Sequence, residues 1–290
     1  MQIKRKPDWL KIRLATSGEY QSVKDIVRRH ELNTICQSGD CPNMVECWSH
    51  GTATFMILGN ICTRACKFCN VATGKPKPAD WNEPDRIAES IKLMKLKHAV
   101  VTSVDRDDLP DYGSSFWAET IKKIKEISPL TTIEVLIPDF QGKIECIQEI
   151  IDSSPEIISH NLETVKRLTS AIRTKAKYET SLEVIRYISN SGITSKSGIM
   201  LGLGETENEV LETMNDLLDA GCKIMTIGQY LQPSKENIEV VEYISPEQFE
   251  NYRNIGIEKG FNYVESAPMV RSSYHAEKQV ADLRTKIEDF

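Results

Sequence analysis

The sequence predicts an α/β fold, a parallel sheet with helices packed outside it, preceded by a cysteine-rich extension. Three observations carry this reading. From Ala53 onward, short apolar runs that read as buried strands, at 53–58, 99–104, 131–137, 156–160, 197–203 and 223–231, alternate with amphipathic stretches near 84–97, 115–127, 141–152, 179–190, 206–220 and 246–259. Such alternation with right-handed crossovers generates a parallel sheet covered by helices. The stretch 206–220 is delimited at both ends: Val210, Leu211, Met214, Leu217 and Leu218 form one apolar stripe, Thr206 and Glu209 form a capping-box pattern, and Gly221 follows the last turn. Six strand–helix units fall short of the eight of a complete barrel.

In chain order, Lys4, Arg5, Lys6, Lys11 and Arg13 read as a solvated basic arm. Asp8 and Trp9 interrupt it, and the arm is too short for a transit peptide. A helix is predicted over Glu19 to Leu32, where Val23, Ile26, Val27 and His30 recur at helical spacing, with His30 on its surface. Residues 1–52 form an N-terminal extension, 53–235 the barrel, and 236–290 a C-terminal segment. The whole carries 36 basic and 42 acidic residues, a net charge of −6, which offers no electrostatic case for nucleic acid. No apolar run approaches the roughly 20 residues of a membrane span, and eight cysteines without a secretory segment point to the cytoplasm.

Six of the eight cysteines fall between positions 36 and 69, as two triplets. Cys36, Cys41 and Cys47 are spaced C-x4-C-x5-C, and Cys62, Cys66 and Cys69 are spaced C-x3-C-x2-C. Structural zinc sites pair cysteines in knuckles and complete a four-ligand set, whereas each group here offers three thiols. Thiolates are the usual ligands of iron–sulfur clusters, so the pattern favours iron–sulfur over zinc or disulfides. Cys146, among Ile144, Ile147 and Ile150, and Cys222, opening a strand, read as core residues.

Cys62-Thr-Arg-Ala-Cys66-Lys-Phe-Cys69, delivered by the run Ala53 to Leu58, resembles the cysteine loop of the radical S-adenosylmethionine enzymes. That resemblance implies a partial (βα)6 TIM-like barrel and a 4Fe-4S cluster whose fourth iron binds S-adenosylmethionine. The upstream triplet, Arg271-Ser-Ser-Tyr274, and matching stretches at 6–10, 101–110, 160–165, 196–206 and 228–233 resemble the lipoyl synthases over nearly the whole chain. A biotin-synthase-like sulfur inserter would not explain both the upstream triplet and the tail. An electron-transfer module would not need the barrel.

That resemblance implies two 4Fe-4S clusters and S-adenosylmethionine as cofactors. It implies radical insertion of two sulfur atoms at C6 and C8 of an octanoyl chain on a lysine of a lipoyl carrier domain. The expected carriers are E2 subunits of 2-oxoacid dehydrogenases and the glycine cleavage H protein, with a low-potential electron donor. Acid–base groups cannot activate an aliphatic C–H bond, whose pKa lies beyond any tuned side chain. By the resemblance, Cys62, Cys66 and Cys69 hold the cluster that cleaves S-adenosylmethionine, and Cys36, Cys41 and Cys47 hold a cluster consumed as the sulfur donor. Its fourth ligand is Ser273, with Ser272 as the alternative, which requires the C-terminal segment to close over the barrel mouth. Cofactor contacts fall to Thr102, Ser103 and Asp105 after the second strand, to Asn161 and Glu163 for the ribose hydroxyls, and to Arg173 for the methionine carboxylate. Gly202 and Gly204 are expected to let backbone approach the adenine. Tyr112 stands where the resemblance implies a glycine, which leaves the geometry of that turn open.

Overall fold

The computed structural model describes residues 5–11 and 17–279. Lys4 and Arg13 of the basic arm, and 280–290 of the C-terminal segment, lie outside the described residues.

Seven strands make one sheet: β1 (Thr54–Ile57), β2 (His98–Ser103), β3 (Thr132–Leu136), β4 (Ile157–Ser159), β5 (Thr194–Leu201), β6 (Ile224–Gln229) and β7 (Tyr263–Ser266). They pair in sequence order and every pair is parallel. Helices Glu83–Leu93, Ser114–Ile127, Ile144–Asp152, Tyr178–Asn190, Glu207–Asp219 and Pro246–Lys259 each connect one strand to the next. The first and last strands do not pair, so the molecule is a partial barrel left open between β1 and β7.

Burial on both faces explains why the strands read as continuous apolar runs rather than alternating ones. Phe55, Met56 and Ile57 are buried without a break, as are Ala99, Val100 and Val101. The helices bury one stripe each. In Ser114–Ile127 that stripe is Phe116, Trp117, Thr120, Ile121 and Ile124, and each large apolar side chain buried there contributes about 2 kcal/mol. Thr206 accepts from the Glu209 amide and the Glu209 side chain accepts from the Thr206 amide, completing the predicted capping box.

Among the elements that the sequence reading missed are a strand of the main sheet and a helix beside it. β7 was not predicted because Tyr263–Ser266 is an edge strand with only Val264 and Ser266 buried, too little apolar sequence to stand out. Between β4 and Tyr178–Asn190 the chain also inserts the short helix Lys166–Ile172. The first helix, Gly18–Arg29, is shorter than predicted and stops at the half-buried His30.

After β7 the chain crosses the gap in the barrel. Pro268 accepts from the Gln229 amide, Met269 accepts from Asn43 Nδ2 at 2.7 Å, and the Tyr274 hydroxyl donates to Glu46 at 3.0 Å. Residues 267–275 thus link the last two strands to the cysteine-rich extension, whose Asn33 and Thr34 bridge the edge of β1 that faces the opening.

Candidate active site

A cavity of about 1170 Å³ occupies the barrel, and all six clustered cysteines line it. Thr102, Ser103, Asp105, Asn161, Glu163, Arg173, Ser272 and Ser273 line it too. All eight cysteines are free thiols. Cys146 and Cys222 stay outside the lining: the first donates to the Asp111 carbonyl and the second, fully buried, to the Ile224 carbonyl.

The second triplet sits on a braced loop. Cys62 ends a short strand, Ile61–Cys62, that pairs with Ala72–Thr73 and returns the chain after Cys69. Three neighbours hold what lies between: the Thr63 amide donates to the Asp105 carbonyl, the Lys67 amide to that of Ile172, and Asn237 Nδ2 to that of Cys69. Amides of Arg64 and Asp105 point at Cys62 Sγ, each at 3.4 Å, and that of Val71 at Cys69 Sγ at 3.5 Å. Such donors stabilise thiolate ligands and tune a cluster's potential.

Arg64 is the residue in this loop that the motif does not announce. Its side chain is 4% exposed and reaches Asp107 and Asp139 at 2.8 Å each and Asp105 at 3.3 Å. Burial alone would lower its pKa, but the three carboxylates raise it well above the ordinary arginine value. Asp107 is held down at about 2: burial would raise it, and Arg64 outweighs that. A charge cluster read as cofactor contacts is thus largely a clamp on the cysteine loop. Two of the three candidates there are engaged within the protein, Asp105 with Arg64 and the Cys62 thiol, and Thr102 with the Leu136 carbonyl at 3.1 Å. Ser103 Oγ is buried with no partner among the described residues. The opposed charges of Arg64 and the Asp-Arg-Asp-Asp run were the only sequence signal for this clamp.

After β4 the chain turns sharply into the cavity. Glu163 has φ of +67°, an unfavourable value for a residue with a side chain, and is pinned there because its amide donates to the Gly198 carbonyl while its own carbonyl accepts from Met200. Burial pushes its carboxyl pKa up, against the pull of Arg173. Asn161 Nδ2 donates to Ser272 Oγ at 2.7 Å, which leaves Asn161 Oδ1 buried without a partner. An orphaned acceptor beside a carboxyl suits a pair of hydroxyl donors.

The first triplet straddles two short helices, Ile35–Ser38 and Met44–Ser49, joined where the Cys41 amide donates to the Cys36 carbonyl. The Cys36 thiol lies against Thr54 and the Trp48 indole. Thr54 in turn donates to Ser273 Oγ at 2.7 Å. The adjacent serines therefore face different ways, Ser273 toward the Cys36 triplet and Ser272 toward Asn161. Arg271, next in line, lies close enough to Cys41 to feel its charge.

Burial raises the pKa of all six thiols, to about 12 at Cys47 and about 11 at Cys62, Cys66 and Cys69. A bound cation reverses that cost, because a coordinating thiol ionises under the metal's charge. The donor sets fit the expected clusters: one thiol triplet has a hydroxyl oxygen near it, across Thr54, and the other lies close enough to Arg173 and Glu163 to feel their charges.

One expectation needs correcting. Gly202 and Gly204 do not line the cavity, whereas Gly198 and Gly228 do. A Cβ at Gly202 would overlap Gln229 and the Glu242 carbonyl, so that glycine serves close packing. Tyr112 does take the left-handed conformation of its turn, with φ of +54°.

Comparison with known proteins agrees with this geometry. Residues 56–217 match the profile of the radical SAM superfamily. Over 276 residues the chain is 62% identical to the lipoyl synthase of Parabacteroides distasonis, spanning 95% of this chain and 98% of that protein. The mitochondrial lipoyl synthase of Nematostella vectensis is 61% identical over 276 residues, 95% of each. Among solved structures, Streptococcus suis SuiB bound to S-adenosylmethionine superposes with a TM-score of 0.58 at 10% identity, over 87% of this chain and 56% of that one. HydG, a maturase of the FeFe hydrogenase, gives 0.57 at 14% identity over 69% and 48%. At those identities the likeness is one of fold alone. The lipoyl synthases are instead matched across nearly their full length, and the chain belongs to the lipoyl synthase family of the radical SAM superfamily.

Proposed function

We propose that this protein inserts two sulfur atoms, at C6 and C8, into an octanoyl chain carried on a lysine of a lipoyl domain. The observation that supports it most is the opening of both cysteine triplets onto one cavity, with Ser273 beside the first and Asn161, Glu163 and Arg173 around the second. Cys62, Cys66 and Cys69 would hold one 4Fe-4S cluster and Cys36, Cys41, Cys47 and Ser273 the other. When bound, the first supplies the electron that cleaves S-adenosylmethionine and the second supplies sulfur.

The chain's own residues bind, orient and exclude. Asn161 Oδ1 and Glu163 accept from the ribose hydroxyls, Arg173 takes the methionine carboxylate, and Ser103 offers a free hydroxyl to the same ligand. Thr102 and Asp105 support the site from behind through Leu136 and Arg64. Ser273 offers an oxygen, a harder donor than sulfur, which suits a ligand that must let go. The cavity walls keep water from a reaction that acid–base groups cannot perform.

Residues 1–52 carry the sulfur-donating site, 53–235 the barrel, and 236–290 the closing segment. Octanoylated E2 domains and the glycine cleavage H protein are the proposed substrates, with a low-potential electron donor, in the cytoplasm. No helix among the described residues is long and apolar enough to cross a membrane. Anaerobically reconstituted protein should hold about eight irons and eight sulfides and, when reduced, release 5′-deoxyadenosine and form lipoyl product. Cys66→Ala should abolish 5′-deoxyadenosine while retaining the upstream cluster. Stoichiometric zinc without visible absorbance, or continued cleavage by Cys66→Ala, would overturn the assignment.

A further inference from the structure

Arg173 is buried at 7% exposure, yet it forms no ion pair with a carboxylate among the described residues. Glu163 lies within its field without closing a salt bridge. One nitrogen, Nη1, donates to Ser181 Oγ at 2.9 Å and to the Leu162 carbonyl at 3.3 Å. The group lines the cavity at the end of the helix Lys166–Ile172, facing Cys66. A buried cation without its counter-charge is costly, and a fork with one tine fixed is preorganised for a planar anion.

What fixes that tine can be followed atom by atom. Ser181, fully buried on the helix Tyr178–Asn190, contacts His160 Nε2 at 2.9 Å as well as Arg173. His160 Nδ1 lies 2.9 Å from the Ile137 carbonyl, which can only accept, so Nδ1 carries the proton and Nε2 is the acceptor. The Ser181 hydroxyl must then donate to Nε2 and accept from Arg173. The chain of donors runs one way, from Arg173 through Ser181 to His160 and on to Ile137. Both ring nitrogens are engaged within the protein, so His160 has no free nitrogen with which to serve as an acid or base toward a ligand, although it lines the cavity.

We propose that Ser181 and His160 are positioning residues that hold the Arg173 guanidinium for a carboxylate entering the cavity. This rests on the reading of Arg173 as partner of the S-adenosylmethionine carboxylate. Three separate elements meet in it: the end of β4, the helix that Arg173 terminates, and the helix that carries Ser181. A buried, satisfied histidine with no bearing on the ligand is the competing account, and ligand selectivity separates the two.

The experiment uses cluster-loaded protein and equilibrium dialysis against two ligands, S-adenosylmethionine and its decarboxylated analogue, which retains the amine and the sulfonium. Loading is checked by iron content and visible absorbance. Arg173→Gln should weaken S-adenosylmethionine far more than the analogue, each relative to the unsubstituted protein. Should it weaken both equally, or neither, the reading of Arg173 fails and the inference with it. With that selectivity in place, Ser181→Ala should weaken S-adenosylmethionine about tenfold or more, the scale of one hydrogen bond to a charged group, and leave the analogue within about twofold. Ser181→Thr, which keeps the hydroxyl, should bind as the unsubstituted protein does. His160→Asn, which can keep the donor to Ile137 but loses the acceptor for Ser181, should repeat the selective loss and serves where Ser181→Ala fails to load. Equal losses for both ligands, or no loss, in the Ser181 and His160 variants would overturn the positioning role while leaving Arg173 in place.

Discussion

Ser272 and Ser273 are neighbours in sequence and face opposite partners, Asn161 and Thr54. That division bears on which oxygen closes the sulfur-donating cluster. Ser273→Cys should retain that cluster and 5′-deoxyadenosine formation yet lose most lipoyl product, because thiolate holds iron more tightly than a hydroxyl oxygen. Ser273→Ala should lose product as well. Thr54→Val, which removes the donor to Ser273 Oγ, should speed iron loss to a chelator without affecting the other cluster. Product assays and iron release check all three. Arg64 gives a different kind of prediction at the same scale. Arg64→Ala leaves the buried Asp139 and the half-buried Asp105 without their counter-charge, and Asp107 with Lys175 alone. Removing one partner of a buried pair costs about 3–5 kcal/mol, so the variant should melt earlier and fail to load the Cys62 triplet. Arg64→Lys should rescue it only in part, since an ammonium cannot meet three carboxylates at once.

Elements differ in how much a single change within them reaches the site. The helix Glu207–Asp219 stands on the outside of the barrel, and its capping box is local. Thr206→Ala should cost about 1 kcal/mol in denaturant titration and leave cluster content unchanged. β6 lies where the tail crosses. A Cβ at Gly228 would overlap the Val270 carbonyl. Gly228→Ala should therefore push residues 267–275 off the sheet, open them to limited proteolysis and lower lipoyl formation, while the barrel's circular dichroism is preserved. The contrast follows from geometry: the Thr206 hydroxyl bonds only Glu209 of its own helix, whereas Gly228 is the surface on which the closing segment rests.

Across the whole molecule, acid should act through buried groups. His160 is held down at about 4 from an ordinary 6.5, by burial first and then by Arg173. The unfolded chain therefore takes up a proton that the fold refuses, and this contribution to stability, present above about pH 6.5, fades as pH falls toward 4. Glu134 is buried in the sheet with Lys196 at 2.8 Å and His98 at 3.5 Å. Burial would raise its pKa, but Lys196 and His98 outweigh it and bring it to about 2 from an ordinary 4.5. Its contribution is whole above about pH 4.5 and is lost as pH falls through 2. Melting temperature against pH should thus decline in two stages, and His160→Asn should flatten the upper one.

The sequence alone determined the alternation of strands and helices and the two thiol triplets, because periodicity and ligand spacing are properties of residues close together in the chain. It also marked the cap at Thr206 for the same reason. Only the tertiary structure decided the contacts between distant segments. Thr54 and Ser273 meet across 219 positions, and Asn161 and Ser272 across 111, so no local pattern can tell which serine faces which site. Arg64 reads as filler between two cysteines until three aspartates from two other loops close around it. Ser181 sits on a helix with no motif and acquires its partners when three elements pack together. β7 forms because β6 offers it an unpaired edge, which no property of Tyr263–Ser266 discloses.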